Sequence, residues 1–95
     1  MTKIYLLLQS QIIDLCEAGK IQEVVIERIS LKQWYPIFDV KDENLGEVRC
    51  SIRLNKDHEL RTWADLRLLT EFLLDKCNVG ECRLILKSKI GRAHV

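Results

Sequence analysis

Between Leu60 and Ser88 the chain changes its hydrophobic period, and that change limits the folds open to it. Leu66, Leu69, Leu73 and Cys77, supported by Phe72, recur at helical spacing, while Arg67, Glu71, Asp75 and Lys76 occupy the opposite side. Thr62 and Asp65 have the spacing of a capping box with Asp in place of Glu, so the helix is expected to start at Thr62. Asn78-Val79-Gly80 supplies a turn. Beyond it Cys82, Leu84 and Leu86 alternate with Arg83, Ile85 and Lys87, the pattern of a strand with one apolar side. An amphipathic helix that hands over to a strand must bury its stripe on a sheet, which points to an α+β fold.

The rest of the chain extends that reading. Ile4, Leu8, Ile12 and Leu15, with Tyr5 and Cys16 beside them, predict a first amphipathic helix that ends near Ala18, where Gly19 provides a left-handed stop. Ile21 to Leu31 is rich in β-branched residues and reads as a strand buried on much of both faces. After a turn at Lys32-Gln33, Trp34 to Val40 alternates as a second strand, with Pro36 favouring an edge position or a bulge. Asp42-Glu43-Asn44-Leu45-Gly46 has the composition of a hairpin turn. From Glu47 to Asn55 the alternation is cleanest, with Val48, Cys50, Ile52 and Leu54 inward and Glu47, Arg49, Ser51 and Arg53 outward. A polar turn at Asn55 to His58 leads to a short extended stretch, Glu59 to Arg61. The expected order is α-β-β-β-α-β: an antiparallel meander plus a final strand parallel to the one at Glu47 to Asn55, with both helices on one sheet face. Residues 1–88 are expected to form a single domain. Residues 89–95 read as a flexible tail, and Gly91 to Val95 as a reading-frame remnant.

Composition narrows the function classes. A chain of 95 residues supports one core and buries somewhat more than about 60% of its unfolded surface. Its apolar share of 47% and charged share of 31% suit a globular protein rather than a disordered or membrane one. The run Ile4 to Leu8 is too short for a signal peptide or a spanning helix, which places the protein in the cytoplasm with no membrane partner. The 4 cysteines are therefore expected to stay reduced, with Cys16, Cys50 and Cys82 as small core residues. Cys77 and Cys82 alone cannot complete a tetrahedral zinc site, and His58 and His94 lie in a distant turn and in the tail, so no metal or other cofactor is expected. Catalysis lacks a candidate as well. His58 sits in a charged turn between Asp57 and Glu59, and the acids Asp39, Asp42 and Glu43 lack the spacing of a calcium loop. Neither a catalytic residue nor a small-molecule substrate is predicted.

Two kinds of surface remain. Trp34, Tyr35 and Trp63 are expected to be partly exposed and to serve as partner-binding anchors. A net charge of +1 argues against a surface built wholly for nucleic acid. Arg49, Arg53, Arg61, Arg83, Lys87 and Lys89 would nevertheless make a basic strip if their strands adjoin, and that strip is the alternative, nucleic-acid-binding reading. Helix, three strands, helix is also the element order of double-stranded-RNA-binding domains. Those domains carry a lysine cluster where this chain has Thr62-Trp63-Ala64-Asp65.

The spacing Arg61-x-Trp63-x-x-Leu66-x-x-Leu69-x-x-Phe72-Leu73, followed by Leu84-Ile85-Leu86, resembles the carboxy-terminal half of small plasmid partition-associated proteins. Gly19-Lys20-Ile21-Gln22-Glu23-Val24 and Trp34 fall at similar places in that family, so the resemblance spans residues 18–87. The chain departs from it at Asp57 and Glu59, where the family tends to be basic. The resemblance implies a non-enzymatic accessory protein carried on a mobile element, with no catalytic residue to transfer. Together with the residue-level reading it predicts a small cytoplasmic binding domain that acts through protein contacts, with a protein partner or as a homodimer.

Overall fold

A computed structural model describes residues 3–44 and 46–86. The elements are β1 (Ile4–Leu7), α1 (Gln9–Glu17), β2 (Ile21–Ser30), β3 (Gln33–Asp42), β4 (Gly46–Ile52), α2 (Leu66–Cys77) and β5 (Arg83–Ile85). They build an α+β fold around one five-stranded sheet of order β1-β4-β3-β2-β5.

The first element departs from the expected long helix. Ile4 to Leu7 pairs in parallel with β4, from Ile4 opposite Arg49 to Leu7 opposite Ile52, and the helix begins only at Gln9. Five consecutive apolar residues satisfy either period. The sheet wins because this run completes an edge beside β4, and because the Gln11 side chain accepts the Leu8 amide at 2.9 Å and closes the helix start one turn late. At its other end the helix stops as expected, with Gly19 at φ +73° and the Lys20 amide donating to the Leu15 carbonyl at 3.0 Å.

β2, β3 and β4 form the predicted antiparallel meander, and β5 pairs in parallel with β2. β1, β2, β4 and β5 therefore share one direction and β3 alone opposes them. The final strand keeps the direction expected of it, but its neighbour is β2 rather than β4. Both crossovers, β1 to β2 over α1 and β4 to β5 over α2, advance three places across the sheet the same way, so crossovers of one hand set both helices on one face. That face holds Ile12, Val24, Ile26, Phe38, Val40, Cys50, Ile52, Leu69, Leu73 and Cys77. On the other face Val25, Tyr35 and Ile37 form a smaller cluster flanked by Ile4, Leu60 and Ile85.

Pro36 lies on the central strand, contrary to the expected edge position. Its carbonyl accepts the hydroxyl of Ser51, so the missing N–H points toward β4 as well. The β3–β4 ladder ends at Phe38 opposite Cys50, two residues short of needing that donor. Beyond this point β3 and β4 part, and Leu60 to Trp63 fills the gap. The Trp34 and Trp63 main chains exchange bonds of 2.9 and 2.8 Å, and the Arg61 amide reaches the Ile52 carbonyl at 2.8 Å. This wedge explains why α2 starts later than Thr62. Thr62 and Trp63 are extended, and Asp65 is the cap, its carboxylate accepting the Arg67 amide at 2.9 Å.

At the far end of α2 Asn78 takes the left-handed position at φ 56°, and the Val79 amide bonds the Leu73 carbonyl at 3.0 Å while Val79 packs on the core. The reversal expected of Gly80 therefore belongs to Asn78. Past the turn, Cys82 and Leu84 are exposed rather than inward, on the short edge strand and the residue before it; Leu54 too is exposed, two residues past the end of β4.

Candidate interaction surfaces

The three aromatic residues expected to anchor a partner are buried. Trp34, Tyr35 and Trp63 expose 9%, 9% and 8% of their surface, which corrects the expected partial exposure. The paired main chains of Trp34 and Trp63 draw both indoles into the helix-side core, where Trp63 meets Phe72 at a centroid distance of 5.3 Å. Arg61 lies over the outer side of Trp63 at 4.2 Å, and Arg28 over Trp34 at 5.6 Å. Tyr35 turns to the other face and donates its hydroxyl to Glu27 at 2.6 Å; burial and the carboxylate beside it raise its pKa. Little ring surface is left for a partner.

The arginines do not gather into one strip. Arg49 and Arg53 sit on or beside β4, Arg83 on β5, and β3 and β2 intervene. Arg49 pairs with Asp39 at 3.1 Å and Arg83 with Glu23 at 2.9 Å, so both charges are answered within the sheet. Arg53 reaches the carbonyls of Leu54 and Asp57 at 3.2 and 3.4 Å, and Arg61 donates to the Gln9 side chain. Lys87 and Lys89 lie outside the described residues, as does the whole expected tail, residues 89–95.

Of the acids near the hairpin turn, Asp42 bonds Lys20 at 3.1 Å and the Asn44 amide at 2.9 Å, while Asp39 lines a cleft of about 280 Å³ with Glu47 and Arg49. His58 is exposed in its turn. Among the described residues no three histidine, cysteine or acidic side chains converge as metal ligands. No helix there is long and apolar enough to cross a membrane.

The cysteines divide differently from the expected core set. Cys50 and Cys77 are buried, Cys16 is half-buried, and the Cys16 and Cys77 thiols meet where the last turns of α1 and α2 come together. The Cys77 S–H donates to Cys16, which lowers the Cys16 pKa against the opposing effect of burial, whereas burial raises Cys50 and Cys82. As pH rises, Cys16 should be the first of these thiols to reach its thiolate. Iodoacetamide labelling of the native protein, resolved by mass spectrometry over a pH series, should give Cys16 the lowest midpoint, and Cys77→Ala should move it upward. A lower midpoint for Cys82 would contradict the donated hydrogen bond.

Sequence reasoning missed the margin along β5. Leu74, Leu84 and Leu86 expose 57%, 46% and 54% of their surface. Leu74 also lines a cleft of about 260 Å³ with Leu73, Val79 and Cys82, flanked by Thr70, Glu71 and Glu81. The signal was present in Leu74, an apolar residue one place beyond the stripe of α2 that the helix face had no use for. A scan against protein-family models and searches of curated proteins and solved structures find no match for this chain.

Proposed function

We propose that the protein is a small non-enzymatic binding domain that works through protein contacts along its β5 margin. The observation that carries this reading is the exposure of Leu74 on α2, of Leu84 within β5 and of Leu86 just after it, at a strand of only three residues that ends the sheet. An edge strand offers main-chain donors and acceptors on its outer side, and apolar side chains next to it supply the hydrophobic part of an interface. The simplest partner is a second copy, because an isologous contact would set Leu84 against its own counterpart. Trp34, Tyr35 and Trp63 then serve the interface only by holding the sheet that presents it. An accessory role on a mobile element is carried by the sequence resemblance alone.

Sedimentation of the full chain over a range of concentrations should report a monomer–dimer equilibrium that Leu84→Arg abolishes while the thermal midpoint stays unchanged. A chain that remains monomeric at its highest soluble concentration removes the homodimer. If hydrogen exchange at Arg83 to Ile85 is also as fast as in an isolated edge strand when candidate partners are present, the margin has no binding role. The nucleic-acid reading has no comparable support, since Arg49 and Arg83 are already neutralised and stand apart.

A further inference from the structure

At the opposite side of the sheet from β5, a cavity of about 170 Å³ is lined by Gln9, Arg53, Leu54, Asn55 and Arg61. It opens where β1 passes into α1, where β4 ends, and where the chain returns through Glu59 to Arg61. We propose that Arg53 and Arg61 form a binding site for a phosphate dianion, free or as the head of a phosphate monoester.

Three observations support it. First, the two arginines line one cavity yet have no acidic partner: among the described residues the ion pairs join Lys20 to Asp42, Arg49 to Asp39, Arg67 to Asp65 and Arg83 to Glu23. Both arginines are half-buried, so their charge is partly stripped of water without a carboxylate to replace it. Asp57 and Glu59 stand in the same turn, but both are exposed, and Arg53 reaches the main-chain carbonyl of Asp57 instead of its carboxylate.

Second, the arginines are held in place before any ligand arrives. The Arg53 amide bonds the Leu7 carbonyl at 2.8 Å and the Arg61 amide bonds the Ile52 carbonyl at 2.8 Å, which fixes both backbones to β1 and β4. The Arg61 guanidinium lies over the Trp63 ring and gives one donor to Gln9, which leaves further N–H groups of its planar fork uncommitted. Arg53 spends one nitrogen on two long carbonyl contacts.

Third, the cavity suits an oxyanion in size and in lining. By liquid volume it holds roughly five waters, enough for a tetrahedral phosphate and part of its hydration. Gln9 and Asn55 add amide groups to its wall, and Leu54 supplies the only apolar side chain. Two guanidinium forks facing one oxyanion give paired charge-assisted hydrogen bonds of the kind a carboxylate or phosphate accepts.

The test is titration of isotopically labelled full-length chain with inorganic phosphate, at constant ionic strength and above the second ionisation of phosphate. Saturable resonance shifts are expected at Gln9, Arg53, Asn55 and Arg61, with O-phosphoserine competing for the same residues. Arg53→Gln, which removes a side chain bonded only to its own turn, should weaken binding by about tenfold. Arg49→Gln, whose arginine is tied to Asp39, should not. Arg61→Lys keeps the charge but loses the fork, and should weaken binding while the amide resonances of β2 and β3 keep their folded-state positions. Shifts that grow linearly and spread over every exposed cation would overturn the site. So would phosphate binding indifferent to Arg53→Gln. An oligonucleotide without terminal phosphate that binds these residues more tightly than phosphate would overturn the monoester assignment in favour of a diester backbone.

Discussion

Phe38→Ala should lower the stability of this domain by about 3–5 kcal/mol. The ring is fully buried at the middle of the central strand, between Val24 of β2 and Cys50 of β4, with the two helices above it. No neighbour can collapse into the space, because β2 and β4 are fixed by their ladders and both helices are tied to the sheet by their crossovers. A chain of this size commands roughly 5–15 kcal/mol in total, so the loss approaches the whole in the unfavourable case. Urea titration should show a midpoint far below that of the parent, and the thermal midpoint should fall by more than about 10 °C. A loss of less than about 1 kcal/mol would mean that the helix layer does not rest on Phe38.

The second large effect belongs to Trp63. Trp63→Ala removes a buried indole that packs against Phe72 and supports Arg61, at an expected cost of about 3–5 kcal/mol. The main-chain bonds to Trp34 survive the change, so the wedge between β3 and β4 remains while its packing is lost. Trp63→Phe keeps a ring under the guanidinium and should cost no more than about half as much. Tyr5→Ala provides the contrast: Tyr5 is 45% exposed, and its removal should stay within about 0.5 kcal/mol. Were Trp63 an exposed anchor, its loss would leave stability untouched and reduce only affinity. Chemical denaturation of the three variants separates the two roles.

The fold class, the meander and the stripe of α2 were legible in the sequence because each rests on a period repeated over several residues. Val48, Cys50 and Ile52 alternate without interruption, and Leu66, Leu69, Leu73 and Cys77 hold one helical face. What was hidden depends on partners remote along the chain. Ile4 to Leu7 becomes a strand only because β4 offers a parallel edge some 45 residues away, as Ile4 opposite Arg49 shows. Thr62 loses its capping role because Trp63 is drawn into a bridge with Trp34. Pro36 reads as an edge signal in isolation, yet it is accommodated centrally because the ladder beside it stops two residues earlier, at Phe38. The surfaces were harder still. Exposure of Leu84 follows from the place of β5 at the sheet edge, and burial of Trp34 from its bridge to Trp63, neither of which a local pattern encodes. The convergence of Arg53 and Arg61 likewise follows from the return of the chain past the end of β4.

The three inner strands are consecutive in the chain, whereas each outer strand arrives by a crossover that spans the sheet. Closing two short hairpins sacrifices little chain entropy; bringing in the margins sacrifices more. The expected order of assembly is therefore from the centre outward, and amide exchange should be fastest at β1 and β5.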